Sequence, residues 1–250
     1  MTHSLKSLLL SLLVAAPLAA AEPEFSDVFI SGKEGYASIR IPAVIATRSG
    51  SVLAFAEGRQ RPTDQAENDI VMKRSTDGGR SWSPLRVLHD DGAHSLNNPT
   101  VVQDHRSGRI FLWYQRIPAH LKEHSTNTGT GLDGPDIYRN FILTSDDDGL
   151  TWAAPEDVTR TTKRPERTTT IASGPGTGLQ LSRGPHKDRL IIPFNEAPLA
   201  GGKTMRSSVT TAAGPGPAAT TCREPSCRMA KAGNAVRSMR SRWRNCRMVP

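Results

Sequence analysis

Two arginines and one acid pose the chemical question in this sequence. Arg40 sits in the otherwise apolar run Ile39-Arg40-Ile41-Pro42, Arg59 closes Glu57-Gly58-Arg59, and Asp64 follows on a polar stretch. A guanidinium in an apolar strand is costly unless its planar fork meets a bidentate acceptor such as a carboxylate. Two readings follow: an internal ion pair between Arg and Asp, or a site that holds an anionic ligand beside an ionisable carboxyl. Glu67 and Asp69 lie near Asp64 in sequence. Glu67 reads as solvated, and Asp69 as part of the start of a strand.

The elements that must position these residues are strands. Between residues 38 and 194, short β-branched and apolar runs alternate with Gly, Asp, Asn and Pro clusters, with no long helical period. That pattern marks antiparallel all-β architecture. Strands are expected over 39–46, 52–56, 70–75, 100–103, 110–115, 141–145 and 190–193, with hairpin turns at 48–51 and 105–109. Two segments repeat: Ser75-Thr76-Asp77-Gly78-Gly79-Arg80-Ser81-Trp82 and Ser145-Asp146-Asp147-Asp148-Gly149-Leu150-Thr151-Trp152. Each reads as a strand end, a tight turn through Asp and Gly, and a Trp opening the next strand, which is a structural device rather than a catalytic one. Their spacing exceeds the roughly 40 to 50 residues of a propeller blade. The polar stretch 118–139 reads as an inserted loop that accounts for the excess.

These motifs resemble the sialidase family, whose Asp boxes the two repeats match. In that family a (Phe/Tyr)-Arg-Ile-Pro motif supplies the first arginine of a cluster that clamps the sialic acid carboxylate, which the resemblance assigns to Arg40. A second arginine follows in Phe-Ala-Glu-Gly-Arg, here Phe55-Ala56-Glu57-Gly58-Arg59, and the acid/base Asp beyond it is matched by Asp64. Ile39 stands where the family usually carries an aromatic residue, a departure that touches packing more than the anion clamp. Asn98-Pro99-Thr100 matches a segment with a sugar-contacting Asn, and an Asn before Pro also simply shapes a turn. The likeness spans residues 29–198 and includes 174–180 and 191–194 as part of a further blade.

The resemblance implies an all-β, six-bladed β-propeller of the sialidase type, with about its first half in this chain. It also implies a retaining exo-sialidase that acts on sialylated glycans without a cofactor. Sialidases use a Tyr nucleophile instead of a second carboxylate. A neutral phenol is not repelled by the substrate's own carboxylate, as a carboxylate nucleophile would be. No motif for that Tyr, its activating Glu or the remaining arginines is found before Pro250, so this chain alone is expected to be inactive. A competing class is a non-catalytic Asp-box propeller that serves carbohydrate binding or scaffolding.

Charge and cysteine usage separate the ends from the middle. The net charge is +8, but residues 199–250 hold ten lysines and arginines against the single acid Glu224, so the tail carries +9 and the remainder −1. The tail also holds all three cysteines and, of the aromatic residues, only Trp243. A nucleic-acid partner is not expected, because aromatic interleaving and a binding fold are both missing. His94, His105, His120, His124 and His186 show no ligand spacing, and no catalytic metal is expected.

Lys6, the apolar run 8–16 and Ala19-Ala20-Ala21 fit a signal peptide over residues 1–21. Export to a secreted or periplasmic location is therefore expected, with no membrane span after its removal. The partition is 1–21 signal peptide, 22–198 partial propeller, and 199–250 a tail that is either disordered or read out of frame. If each codon takes the third base of one residue and the first two of the next, residues 208–216 can encode Ser-Asp-Asp-Gly-Gly-Arg-Thr-Trp, a further Asp box. The nucleotide sequence decides between the two.

Overall fold

The computed structural model describes residues 24–123, 125–166 and 168–198, together with the backbone of strands 206–210 and 221–222. The expected signal peptide and most of the basic tail lie outside the described residues. Three antiparallel sheets follow one another along the chain. The first runs β1 (Ser38–Ala46), β2 (Val52–Arg59), β3 (Asn68–Ser75) and β4 (Arg86–His89), in that order. The second repeats the arrangement with β5 (Ser95–Gln103), β6 (Ile110–Ile117), β7 (Arg139–Ser145) and β8 (Glu156–Asp157).

In the third sheet, β9 (Thr168–Ser173) pairs with β12 (Leu190–Pro198), which continues to β13 (Arg206–Thr210) and β14 (Thr221–Cys222). Two short strands serve as ties. β10 (Gly176–Thr177) runs parallel to β5, and β11 (Leu179–Gln180) pairs with β12.

Strand alternation explains why the sheets stack. In β2 and β3, Leu53, Phe55, Ile70 and Met72 face the second sheet and meet Leu96, Val101, Ile110, Leu112 and Tyr114. The intervening Phe111 and Trp113 of β6 point the other way, onto Ile171, Leu190, Ile192 and Phe194 of the third sheet. A strand buried on both faces needs apolar residues at successive positions, which is what the run Ile110-Phe111-Leu112-Trp113-Tyr114 supplies. The outer face of the first sheet, with Ala56 and Val71, is covered by Tyr36 and Phe29 from the segment before β1.

The two repeats fold alike at the β3–β4 and β7–β8 turns. Ser75 Oγ accepts from Gly79 N at 2.8 Å and Asp77 from Ser81 N at 2.9 Å; Ser145 Oγ accepts from Gly149 N at 2.9 Å and Asp147 from Thr151 N at 2.8 Å. The hydroxyls of Ser81 and Thr151 also donate to these carboxylates, and together the hydrogen bonds hold both below the usual carboxylate range. Trp152 packs edge-on against Phe55, centroids 5.6 Å apart, and so staples the second box to the first sheet. Arg74 adds a clasp, donating to the Asp148 carbonyl at 3.0 Å and its carboxylate at 2.7 Å. These turns lie at the end of the sheets opposite the β2–β3 loop, so their role is structural.

Candidate active site

Arg40, Arg59 and Asp64 meet where β2 gives way to the loop 60–67. Arg59 is buried and Asp64 largely exposed, side chains 2% and 60% accessible, and the guanidinium donates to Asp64 Oδ1 at 2.8 Å and to the Thr63 carbonyl at 3.1 Å. Arg40, directly opposite Glu57 in the β1–β2 register, reaches the same Oδ1 at 3.4 Å from a side chain 54% accessible. The internal ion pair considered from sequence is therefore formed. At these exposures the Arg40 arm contributes little stability and is available to another anion.

Glu57 makes the buried arginine tolerable. Its Oε2 accepts from Arg59 Nε at 2.8 Å and from a terminal nitrogen at 2.5 Å, and its Oε1 from the Asn98 backbone N–H at 2.7 Å. Burial pushes the Glu57 carboxyl above its ordinary pKa, opposed by the Asn98 N–H and the Arg59 charge.

Two X-Pro bulges shape this end of the sheets. The β1–β2 register shifts between Arg40 and Ala43, and the β5–β6 register between Asn97 and Thr100. Ile41 and Asn98, the residues before each Pro, take φ of 58°. For a β-branched residue this backbone is strained, a feature that gathers at functional sites. The Asn98 backbone is tied on both sides, its N–H donating to Glu57 and its carbonyl accepting from Ser173 Oγ. The asparagine whose side chain reaches Asp64 is its neighbour Asn97, donating to the Asp64 carbonyl at 3.2 Å beside Asn68 at 2.6 Å.

Gly58 lies flat beneath Tyr36; a Cβ there would come within 2.7–2.8 Å of the ring. The Tyr36 hydroxyl donates to Asp69 Oδ2 at 2.7 Å. Desolvation, only partly offset by that bond, pushes Asp69 up to about 6. Because the folded state favours its protonated form, Asp69 stabilises the fold below its unfolded pKa and loses that contribution as pH rises through about 6. Asp69→Asn is accordingly expected to raise the melting temperature at pH 8, with the gain disappearing towards pH 4. Thermal melts across that range check it. Glu67 is half-exposed and pairs with Arg61 at 3.2 Å.

Comparisons with known proteins give the family of the chain. The BNR repeat-like domain model matches residues 50–249, a span that includes both Asp boxes and runs through the basic tail. The chain belongs to the BNR repeat-like domain family, and the relatives it matches are sialidases. It is 36% identical over 173 residues to an exo-alpha-sialidase of Arthroderma benhamiae, covering 64% of this chain and 41% of that protein. It is 31% identical over 180 residues to a sialidase of Micromonospora viridifaciens, covering 70% of this chain and 28% of that protein. The chain thus spans well under half the length of these relatives. The intramolecular trans-sialidase of Ruminococcus gnavus shares the fold, with a TM-score of 0.68, 17% identity, and coverage of 81% of this chain and 64% of that one.

Proposed function

We propose that this chain carries the first part of an exo-α-sialidase active site, which releases terminal α-linked sialic acid from glycoconjugates with retention. The observation that carries the reading is the Asp64 carboxylate, exposed at the sheet end and held through Oδ1 by buried Arg59 and exposed Arg40. Oδ2 makes no hydrogen bond to a described residue. In this reading the substrate carboxylate takes Arg40 away from Asp64. With that charge withdrawn, Asp64 takes a proton from solvent and donates it to the glycosidic oxygen as the nucleophile displaces that oxygen at the anomeric carbon, and it later accepts a proton from the attacking water.

The nucleophile comes from outside this chain. Its three tyrosines are all buried: Tyr36 bonds Asp69, Tyr114 bonds His89, and Tyr138 bonds the Lys122 carbonyl. The 250-residue chain alone should therefore not turn over sialosides. On the same reading the three sheets are successive blades of a six-bladed propeller, and the 1–21 segment directs export to a secreted or periplasmic location.

The test is a fluorogenic α-sialoside offered to the full-length protein that carries this segment. Arg40→Ala removes one charge-assisted contact to the substrate carboxylate and should raise KM about 10- to 100-fold, with a smaller change in kcat. Wild-type turnover with an unchanged KM in the variant would remove Arg40 from the clamp.

A further inference from the structure

Two buried asparagines converge on one atom of the acid. Asn68, fully buried at the start of β3, and Asn97, 4% exposed in β5, both direct Nδ2 at the Asp64 carbonyl oxygen, at 2.6 and 3.2 Å. The Asn97 amide also favours the charged form of the Glu57 carboxylate that holds Arg59. Neither Oδ1 has a hydrogen-bond partner among the described residues.

An unpaired buried amide oxygen is destabilising, so as packing these asparagines are poor choices; an apolar side chain of similar size would leave no orphan. What they supply is location. The loop 60–67 is also tied across itself by Gln60 N to the Ala66 carbonyl and by Arg61 to Glu67, each at 3.2 Å, and is held to the first sheet by Arg59 and Arg40. Asn97 is the strut that fixes it to the second sheet.

We propose that Asn68 and Asn97 are positioning residues for Asp64, pinning its backbone so that the carboxyl meets the leaving oxygen. The proposal rests on the sialidase reading above. Displacing a catalytic group by about 1 Å lowers the rate on the order of 100-fold.

The discriminating readout is dependence on the leaving group, because an alkoxide leaving from carbon needs a proton and an electron-poor phenolate does not. In the full-length protein, Asn97→Ala and Asn68→Ala should lower kcat on sialyllactose by about 100-fold, with KM within roughly 3-fold. The loss on a nitrophenyl sialoside should be about 10-fold smaller. Equal losses on both substrates would mean general damage and overturn the proposal. If the wild-type protein turns over neither substrate, the sialidase reading falls, and positioning is judged in the 250-residue chain by amide hydrogen exchange over residues 61–67. Exchange at least about 10-fold faster in Asn97→Ala supports the strut. Unchanged exchange overturns it.

Discussion

On the proposed sialidase reading, Asp64→Ala should lower kcat in a protein that completes this site by about 100- to 10,000-fold, the span that a positioned general acid and base contributes. Among the described residues, Asp64 is the only acid that the two arginines share, and its side chain is exposed at the sheet end. Its neighbours cannot substitute. Glu57 is sealed between Arg59 and the Asn98 N–H, Asp69 lies under Tyr36 on the other face of the strand, and Glu67 pairs with Arg61 instead of with Arg40 or Arg59. KM should move less than kcat, because the Arg40 and Arg59 guanidiniums remain. Steady-state kinetics on purified variants with unchanged melting temperatures decide this. A loss under about 10-fold would show that the proton comes from elsewhere.

Glu57→Ala should be the most destabilising single substitution at this end of the sheets, by about 3 to 5 kcal/mol, because removing one partner of a buried ion pair leaves the other charge uncompensated. Arg59 would keep only its bonds to Asp64 and Thr63, and the Asn98 N–H would lose its acceptor. Replacing both partners, Glu57→Leu with Arg59→Leu, should recover much of the stability while abolishing the site. Urea denaturation of wild type, single and double variants reads the difference directly. A single variant within about 1 kcal/mol of wild type would mean that water enters and solvates Arg59.

Much of this was legible in the sequence because it rests on local rules. The Asp-box turns form from Ser, Asp and Gly within one short segment, and the cores of β1, β2, β3, β6 and β7 follow from apolar runs. Polar strand ends were not legible. Composition stops β2 at Ala56, yet the strand continues through Glu57 and Arg59, since each neutralises the other and the pair can be buried. β5 likewise begins early, at the polar Ser95, ahead of the expected 100. The short outer strands β4 and β8 carry little apolar signal. β13 and β14 lie in a basic tail whose composition predicts no strand, and they are recruited by pairing with β12 and with each other.

At the site, Arg40 is conspicuous as a charge in an apolar run, whereas Arg59 and Asp64 are picked out by the resemblance of residues 55–64 to the sialidase family. It cannot separate Asn97 from Asn98. The bulge at Pro99 decides which of the two adjacent side chains turns towards Asp64, and a register shift is invisible until β6 is paired with β5. The Tyr36 to Asp69 bond is missed for a similar reason, since it joins residues that only the β2–β3 register and the small Gly58 bring together.

The most direct test of the account follows sialyllactose by proton NMR in the presence of the full-length protein carrying this segment. The prediction is that sialic acid is released first as its α-anomer, and that release ceases with Asp64→Ala. No release by the wild-type protein, or release that continues undiminished in the variant, would contradict it.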